Sequence, residues 1–356
     1  MVKKIPVHAD FDQFEVKSNC LFVDGMPITR LADRVGQTPF YVYDSRVIEG
    51  KIKEFRQHIP ADIQLHYAIK ANPMLEVVQH LATQVDGFDL ASAGEMRIAL
   101  QTDMPVQHIS FAGPGKTDRE LGEAVKAGVV INMESQGEMR RLVQIADEMG
   151  ITPKVAVRVN PDYELKSSGM KMGGGPKQFG IDAELVPATL NELKTLNLAF
   201  HGFHIFWGSQ NLNEEAIMEA HDKTFELAIR LNEYVPSPVK LLNIGGGLGI
   251  PYFPGEKRLD LTPIKENLVK LLPNLKAHLP EAEIVTELGR FIIGEAGVYV
   301  CKVIDKKVSR GETFLITDGG LHHHLAASGN FGQVIRKNYP VAIATRMNGT
   351  EIEKVN

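Results

Sequence analysis

Cysteine and tryptophan are scarce in this sequence: Cys20 and Cys301 are its two cysteines, and there is one tryptophan in 356 residues. Two cysteines cannot build a disulfide framework, which fits a reducing compartment. No stretch offers the roughly 18 uninterrupted apolar residues of a membrane helix. The start, Met1-Val2-Lys3-Lys4-Ile5-Pro6, is slightly basic with no apolar segment behind it, so it does not read as a leader. A cytoplasmic protein without membrane contact is expected. Positive charge is not in excess either: the net charge is −5, and no run of Lys and Arg offers a footprint for a phosphate backbone, which argues against nucleic acid as a partner. What is present is a globular composition, 44% hydrophobic and 23% charged, long enough for a large core and more than one domain.

Residues 18 to 44 read as β structure. Leu21-Phe22-Val23 and Met26-Pro27-Ile28 flank Asp24-Gly25, a two-residue hairpin signal, and Pro39 to Asp44 is a further extended run. Asp44-Ser45 then caps an amphipathic helix through about Gln57. From there β-type runs at 63–69, 86–90, 108–112, 128–132, 154–159, 199–206, 240–244 and 283–287 alternate with helical windows at 93–103, 117–127, 135–149, 184–195, 213–234 and 261–278. Eight such units imply a parallel sheet closed into a (β/α)8 TIM barrel rather than an open doubly wound sheet.

A barrel gathers chemistry at the C-terminal ends of its strands. The first run, Ile63-Gln64-Leu65-His66-Tyr67-Ala68-Ile69, ends in Lys70. A lysine there either snorkels to water or is held by a charge partner or a Schiff base. The other ends carry Asp89 and Glu95, Gly113 to Lys116, Arg158, Ser209, Gly245-Gly246-Gly247 and Glu287-Leu288-Gly289-Arg290. Three glycines let backbone N–H groups approach an anion, and Gly289-Arg290 adds a charged donor, so phosphate is the expected ligand of this side. The alternative is a plain tight turn. A dinucleotide fingerprint needs an acidic residue ending a second strand about 20 residues on, where this chain begins a helix near Leu261.

These motifs resemble, in order and over essentially the whole chain, the fold-type III pyridoxal-phosphate decarboxylases, the group of diaminopimelate and ornithine decarboxylases. Tyr67-Ala68-Ile69-Lys70-Ala71-Asn72, Phe88 to Glu95, Gly245-Gly246-Gly247 and Glu287 to Arg290 carry the likeness. Ser168 to Gly180, Gly208-Ser209-Gln210-Asn211-Leu212 and Asp318 to His324 are similar to a subgroup found with exosortase clusters and to decarboxylases of carrier-bound glutamyl groups. The resemblance implies pyridoxal phosphate on Lys70, Glu287 opposite the pyridine nitrogen, and phosphate held by Ser209, Gly245, Gly246, Gly247, Gly289 and Arg290. Asp89, Glu95, Arg158 and His204 would support them, with Arg158 equally able to serve as a structural ion-pair partner. Carboxylate opposite the ring nitrogen favours decarboxylation, whereas racemases of this fold have arginine there. A racemase, or a cofactor- or carrier-binding protein without turnover, are the alternatives. The substrate is expected to be a small amino acid, diamino or acidic, free or on an acyl or peptidyl carrier protein, and the assembly a homodimer.

The sequence departs from that family in places. Phe206 stands where the family has a ring-stacking histidine; it can stack but not transfer a proton. Leu288 replaces a proline. The family's Cys motif and a later Tyr fall beyond Asn356. Residues 45–295 are expected to form the barrel, and 1–44 with 296–356 a mainly β domain whose C-terminal part is incomplete. In it, 298–304 and 313–317 read as a hairpin, and His323, Arg336 and Tyr339 are candidate substrate contacts. His322-His323-His324 invites a metal, but adjacent residues of an extended strand cannot all face inward, so no metal is expected. Met170 to Gly175 reads as a mobile loop over the mouth.

Overall fold

The computed structural model describes residues 8–9, 12–163, 170–171, 173–325, 339–349 and 355. Eight parallel strands form its centre: β1 (Ile63–Ala68), β2 (Gly87–Leu90), β3 (Ile109–Phe111), β4 (Val130–Met133), β5 (Lys154–Asn160), β6 (Ala199–Ile205), β7 (Leu241–Gly246) and β8 (Glu283–Leu288). Each pairs with the next in chain order and β8 returns to β1, so the ring closes as the eightfold rhythm of the sequence predicts. Closure leaves each strand covered on both faces, which explains their near-continuous apolar composition; Leu65, Tyr67, Phe88, Phe111, Val157 and Phe203 are fully buried.

The helices between strands are α1 (Leu75–Ala82), α2 (Ala93–Ala99), α3 (Asp118–Ala127), α4 (Gln136–Met149), α5 (Val186–Leu193), α6 (Glu214–Leu231) and α7 (Thr262–His278). Their starts are set by side-chain caps: Ser92, Thr117, Ser135 and Asn213 each accept the backbone N–H three residues on. Helix α1 is absent from the sequence reading. It has only eight residues, with two adjacent valines that favour strand, and it is held by burying Val77, Val78 and Leu81.

Residues 51–250 and 259–292 cluster as one compact unit, and 1–50, 251–258 and 293–356 as another. In the latter, Cys20–Val23 and Met26–Pro27 form the expected hairpin, turned by Asp24 and Gly25 at φ 48° and 72°. The β reading of 18–44 fails only in its middle: Ile28–Val35 is an α-helix, whose Ile28, Leu31, Ala32 and Val35 follow a three-to-four spacing and which ends at left-handed Gly36, whereas Phe40–Tyr43 is a strand as expected. The 298–304 run also splits between two partners. Gly297–Val300 pairs with Phe40–Tyr43, whereas Val303–Ser309 pairs with Glu312–Thr317 around Arg310-Gly311. Phe14, Leu21, Val23 and Ile28 form this unit's core with Val42, Val298 and Val300.

Two residues of the barrel lead to stability tests. Gly202 interrupts the β5–β6 register at φ 151°, and a Cβ there would overlap the Leu241 carbonyl oxygen. Gly202→Ala is expected to cost about 2–4 kcal/mol in denaturant unfolding, since both the backbone and its neighbour must move. His221 of α6 is buried among Phe55, Ile59, Ile244, Ile264 and Leu268, and that burial lowers its pKa to about 4. Its stabilising contribution is therefore complete above the unfolded value near 6.5 and lost as pH falls toward 4. His221→Leu should flatten the Tm-against-pH curve across that interval.

Candidate active site

Lys70 sits in a single 3-10 turn, Ile69–Ala71, directly after β1, so the strand's direction carries its side chain to the C-terminal mouth of the barrel. Its Nζ lies 3.1 Å from Asp89 Oδ2, at the end of β2, and 3.4 Å from Glu287 Oε1 on β8. Those strands flank β1 on its two sides, so the closing of the ring is what brings 89 and 287 to 70. The carboxylates are buried, whereas the lysine side chain keeps 49% of its exposure and is open to an incoming group.

The electrostatics follow from that geometry. Burial lowers the Lys70 amine, but the charges of Asp89 and Glu287 outweigh it and raise its pKa above the ordinary lysine value. Burial, and then Glu287, push Asp89 up to about 6 against the pull of Lys70. Glu287 goes the other way: burial would raise it, yet Lys70 and His204 hold it well below the usual carboxylate range. Glu287 Oε2 accepts from Asn243 Nδ2 at 3.1 Å and lies 3.2 Å from His204 Nε2. Ser110 Oγ donates to Asp89 Oδ1 at 3.2 Å. Among the described residues, the buried His204 Nδ1 has no hydrogen-bond partner.

Beyond β7, Gly245 and Gly247 have φ of 69° and 78°, in the left-handed region that favours glycine. A side chain on Gly245 would strike the Phe206 ring, and one on Gly246 the Glu287 carbonyl. The turn is thus wedged between the ends of β6 and β8. Asn243 Oδ1 accepts from Gly245 N at 2.8 Å, so one amide holds both the glycine turn and Glu287. Arg290 Nη1 is 3.4 Å from Gln210 Oε1, and Gly289 packs against Ala68 and Ala71, next to Lys70. Ser209 lies in a two-residue strand, Gly208–Ser209, whose backbone pairs with Met170–Lys171. Phe206 is buried, with its ring stacked on His204 at 6.5 Å.

Arg158 on β5 is buried and in register with His204 on β6, and its charge helps hold Glu287 down. Its Nη1 is 2.7 Å from Glu134 Oε1 and its guanidinium lies 4.8 Å from the Phe179 ring centre. Glu95 is committed to the start of α2: its oxygens accept from Ala91 N and Ser92 Oγ, not from Lys70. The sequence reading missed Ser110, Glu134 and Asn243. Glu134 follows β4, the one strand end left unread, so the strand-end rule itself would have found it; Ser110 and Asn243 lie inside strands and carry no such signal.

The segment expected as a mobile loop is tied down where it is described. Gly174 N donates to Asn160 Oδ1, Asn160 Nδ2 to the Gly175 carbonyl, and Gly180 N to Glu134 Oε2; residues 164–169 and Met172 lie outside the described residues. His323 and Tyr339 belong to the other unit, where Tyr339 stacks on Tyr252 at 4.8 Å and the His323 carbonyl accepts from Tyr41. Arg336 lies outside the described residues. Among the described residues there is no group of three or more His, Cys, Asp or Glu able to hold a metal, and no helix long and apolar enough to cross a membrane.

The model of the pyridoxal-dependent decarboxylases, pyridoxal binding domain, matches residues 45–294. The chain belongs to the pyridoxal-dependent decarboxylases. It is 35% identical, over 94% of its length and 79% of the relative's, to the L-glutamyl-[BtrI acyl-carrier protein] decarboxylase of Niallia circulans. It is 34% identical to the diaminopimelate decarboxylase of Aquifex aeolicus, covering 86% of this chain and 72% of that one. The crystal structure of diaminopimelate decarboxylase from M. jannaschii in co-complex with L-lysine superposes with a TM-score of 0.77 at 27% identity, over 87% of this chain and 74% of that chain.

The residues present fit pyridoxal phosphate. An amine is exposed between buried carboxylates, one carboxylate stays charged in a buried position, and the turn after β7 has glycines in left-handed conformations packed against the end of β8. Because Asn243 secures both the turn and Glu287, Asn243→Ala is expected to weaken cofactor binding by about tenfold to a hundredfold, as losing one or two hydrogen bonds to charged or buried groups does. Fluorescence titration with pyridoxal phosphate measures it.

Proposed function

We propose that this decarboxylase acts on the acidic side of the family's substrates, a glutamyl-type amino acid presented on an acyl carrier protein. The 35% identity to the carrier-dependent glutamyl decarboxylase, sustained over 94% of the chain, supports that reading. Free diaminopimelate is the second reading, supported by a relative at 34% identity. A homodimer in the cytoplasm goes with either.

The observation that carries decarboxylation itself is Glu287, a buried carboxylate held in its charged form beside Lys70. Bound pyridoxal phosphate supplies an electron sink for the pair released as CO2 departs. Lys70 is proposed to hold the cofactor through Nζ. Glu287 would then be the residue to hold a proton at the ring nitrogen, which would favour decarboxylation over racemisation. Asp89, pushed up to about 6 and hydrogen-bonded to Lys70, would be the residue to exchange a proton with Lys70 Nζ. Gly245, Gly246, Gly247, Ser209, Gly289 and Arg290 are proposed to hold phosphate, and Phe206 and His204 to line the ring's surroundings.

The test joins spectroscopy to product analysis. Addition of pyridoxal phosphate should give a visible absorbance band that borohydride abolishes and Lys70→Ala lacks. CO2 should then be released from glutamyl-carrier protein faster than from free glutamate or meso-diaminopimelate. Release from diaminopimelate alone selects the second reading. Epimerisation without CO2 makes the protein a racemase, and binding without any turnover makes it a non-catalytic binder.

A further inference from the structure

Three strand ends meet at one buried carboxylate outside the lysine cluster. Glu134 Oε1 accepts from Gly113 N, after β3, at 2.6 Å and from Arg158 Nη1, on β5, at 2.7 Å; Oε2 accepts from Gly180 N at 2.8 Å. Burial raises the Glu134 carboxyl, but Arg158 and Lys116 outweigh it and keep it ionised. Lys116 completes the cluster, with Nζ 2.6 Å from the Gly113 carbonyl, 2.9 Å from that of Asn132 and 2.8 Å from Glu138 Oε1.

Two features make this more than a buried ion pair. Gly180 leads into Ile181–Asp182, which adds to the edge of β5 at Val159 and Asn160, so the chain returning after β5 is anchored at this point. A side chain at Gly180 would collide with the β5 backbone at Val159 and Asn160, which shows how closely the returning chain approaches the strand. Arg158, at the other end of the same carboxylate, stands beside His204 with its charge felt at Glu287.

We propose that Glu134 is a positioning residue that ties Gly180 and the strand Ile181–Asp182 to the guanidinium of Arg158, so that the placement of Gly180 and the charge felt at Glu287 change together. The proposal rests on the reading of the Lys70–Glu287 cluster as the cofactor site, but half of it is read without cofactor.

The experiment reads each variant at the far end of the link. In the protein without cofactor, Arg158→Met should speed amide hydrogen exchange at Gly180 by about tenfold, the loss expected when a charged hydrogen bond loosens. In the protein with pyridoxal phosphate, Glu134→Gln leaves Arg158 unbalanced and should move the pH midpoint of the visible band down by about one unit, the size of effect one nearby buried charge produces. Glu134→Gln with Arg158→Met removes both charges and should return the midpoint toward that of the natural protein. Unchanged exchange at Gly180 in Arg158→Met overturns the link, as does a double variant no nearer the natural midpoint than Glu134→Gln. If Glu134→Gln does not fold, Arg158→Met alone should move the midpoint upward, and no movement overturns the proposal. A natural protein that shows no band refutes the cofactor reading instead, and the Gly180 exchange still decides the link.

Discussion

The constraint on which the site depends is the shared counter-ion. Burying Asp89 and Glu287 costs several kcal/mol each unless a positive charge and hydrogen bonds compensate, and Lys70 is the cation both reach. One ammonium cannot satisfy two carboxylates equally, so the pair divides. Glu287, also neighboured by His204 and Asn243, stays ionised, whereas Asp89 is pushed up to about 6. Two carboxyl groups with different proton affinities on one amine form a natural setting for moving a proton on and off Nζ.

A comparison within the molecule separates reactivity from structure. Lys116 also meets a carboxylate, Glu138, but its side chain is 1% exposed and its other donors are spent on two backbone carbonyls. Lys70 is open to solvent and, among the described residues, its amine meets the side chains of Asp89 and Glu287. The first arrangement fixes loops; the second leaves an amine free to exchange partners. The two clusters divide the mouth: β3 to β5 carry the loop-holding charges, while β1, β2 and β8 carry the exposed amine with its carboxylates.

The glycine turn after β7 illustrates how packing and binding can ask for the same residue. Gly245, Gly246 and Gly247 are suited to an anion, yet the adjacent strand ends already leave no room for a Cβ at any of them. Asn243 links this turn to Glu287, so the turn proposed to hold phosphate and the carboxylate proposed to face the ring are held by one side chain.

Sequence alone determined the barrel and which charged residues stand at the ends of its strands. The alternation of apolar runs with three-to-four-spaced segments is a local property, and so is a lysine, an aspartate or a glutamate placed just past a strand. Short helices such as Leu75–Ala82 and Ile28–Val35 escaped because eight residues hold few turns and burial, not local preference, stabilises them. What only tertiary structure decided was partnership. That Glu95 caps its own helix while Asp89 meets Lys70, that Arg158 pairs with Glu134, and that Gly297–Val300 joins Phe40–Tyr43 all depend on contacts between residues distant in the chain. Charge and hydrogen-bond energies depend on distance and burial, and a chain acquires both only when the ring of strands closes.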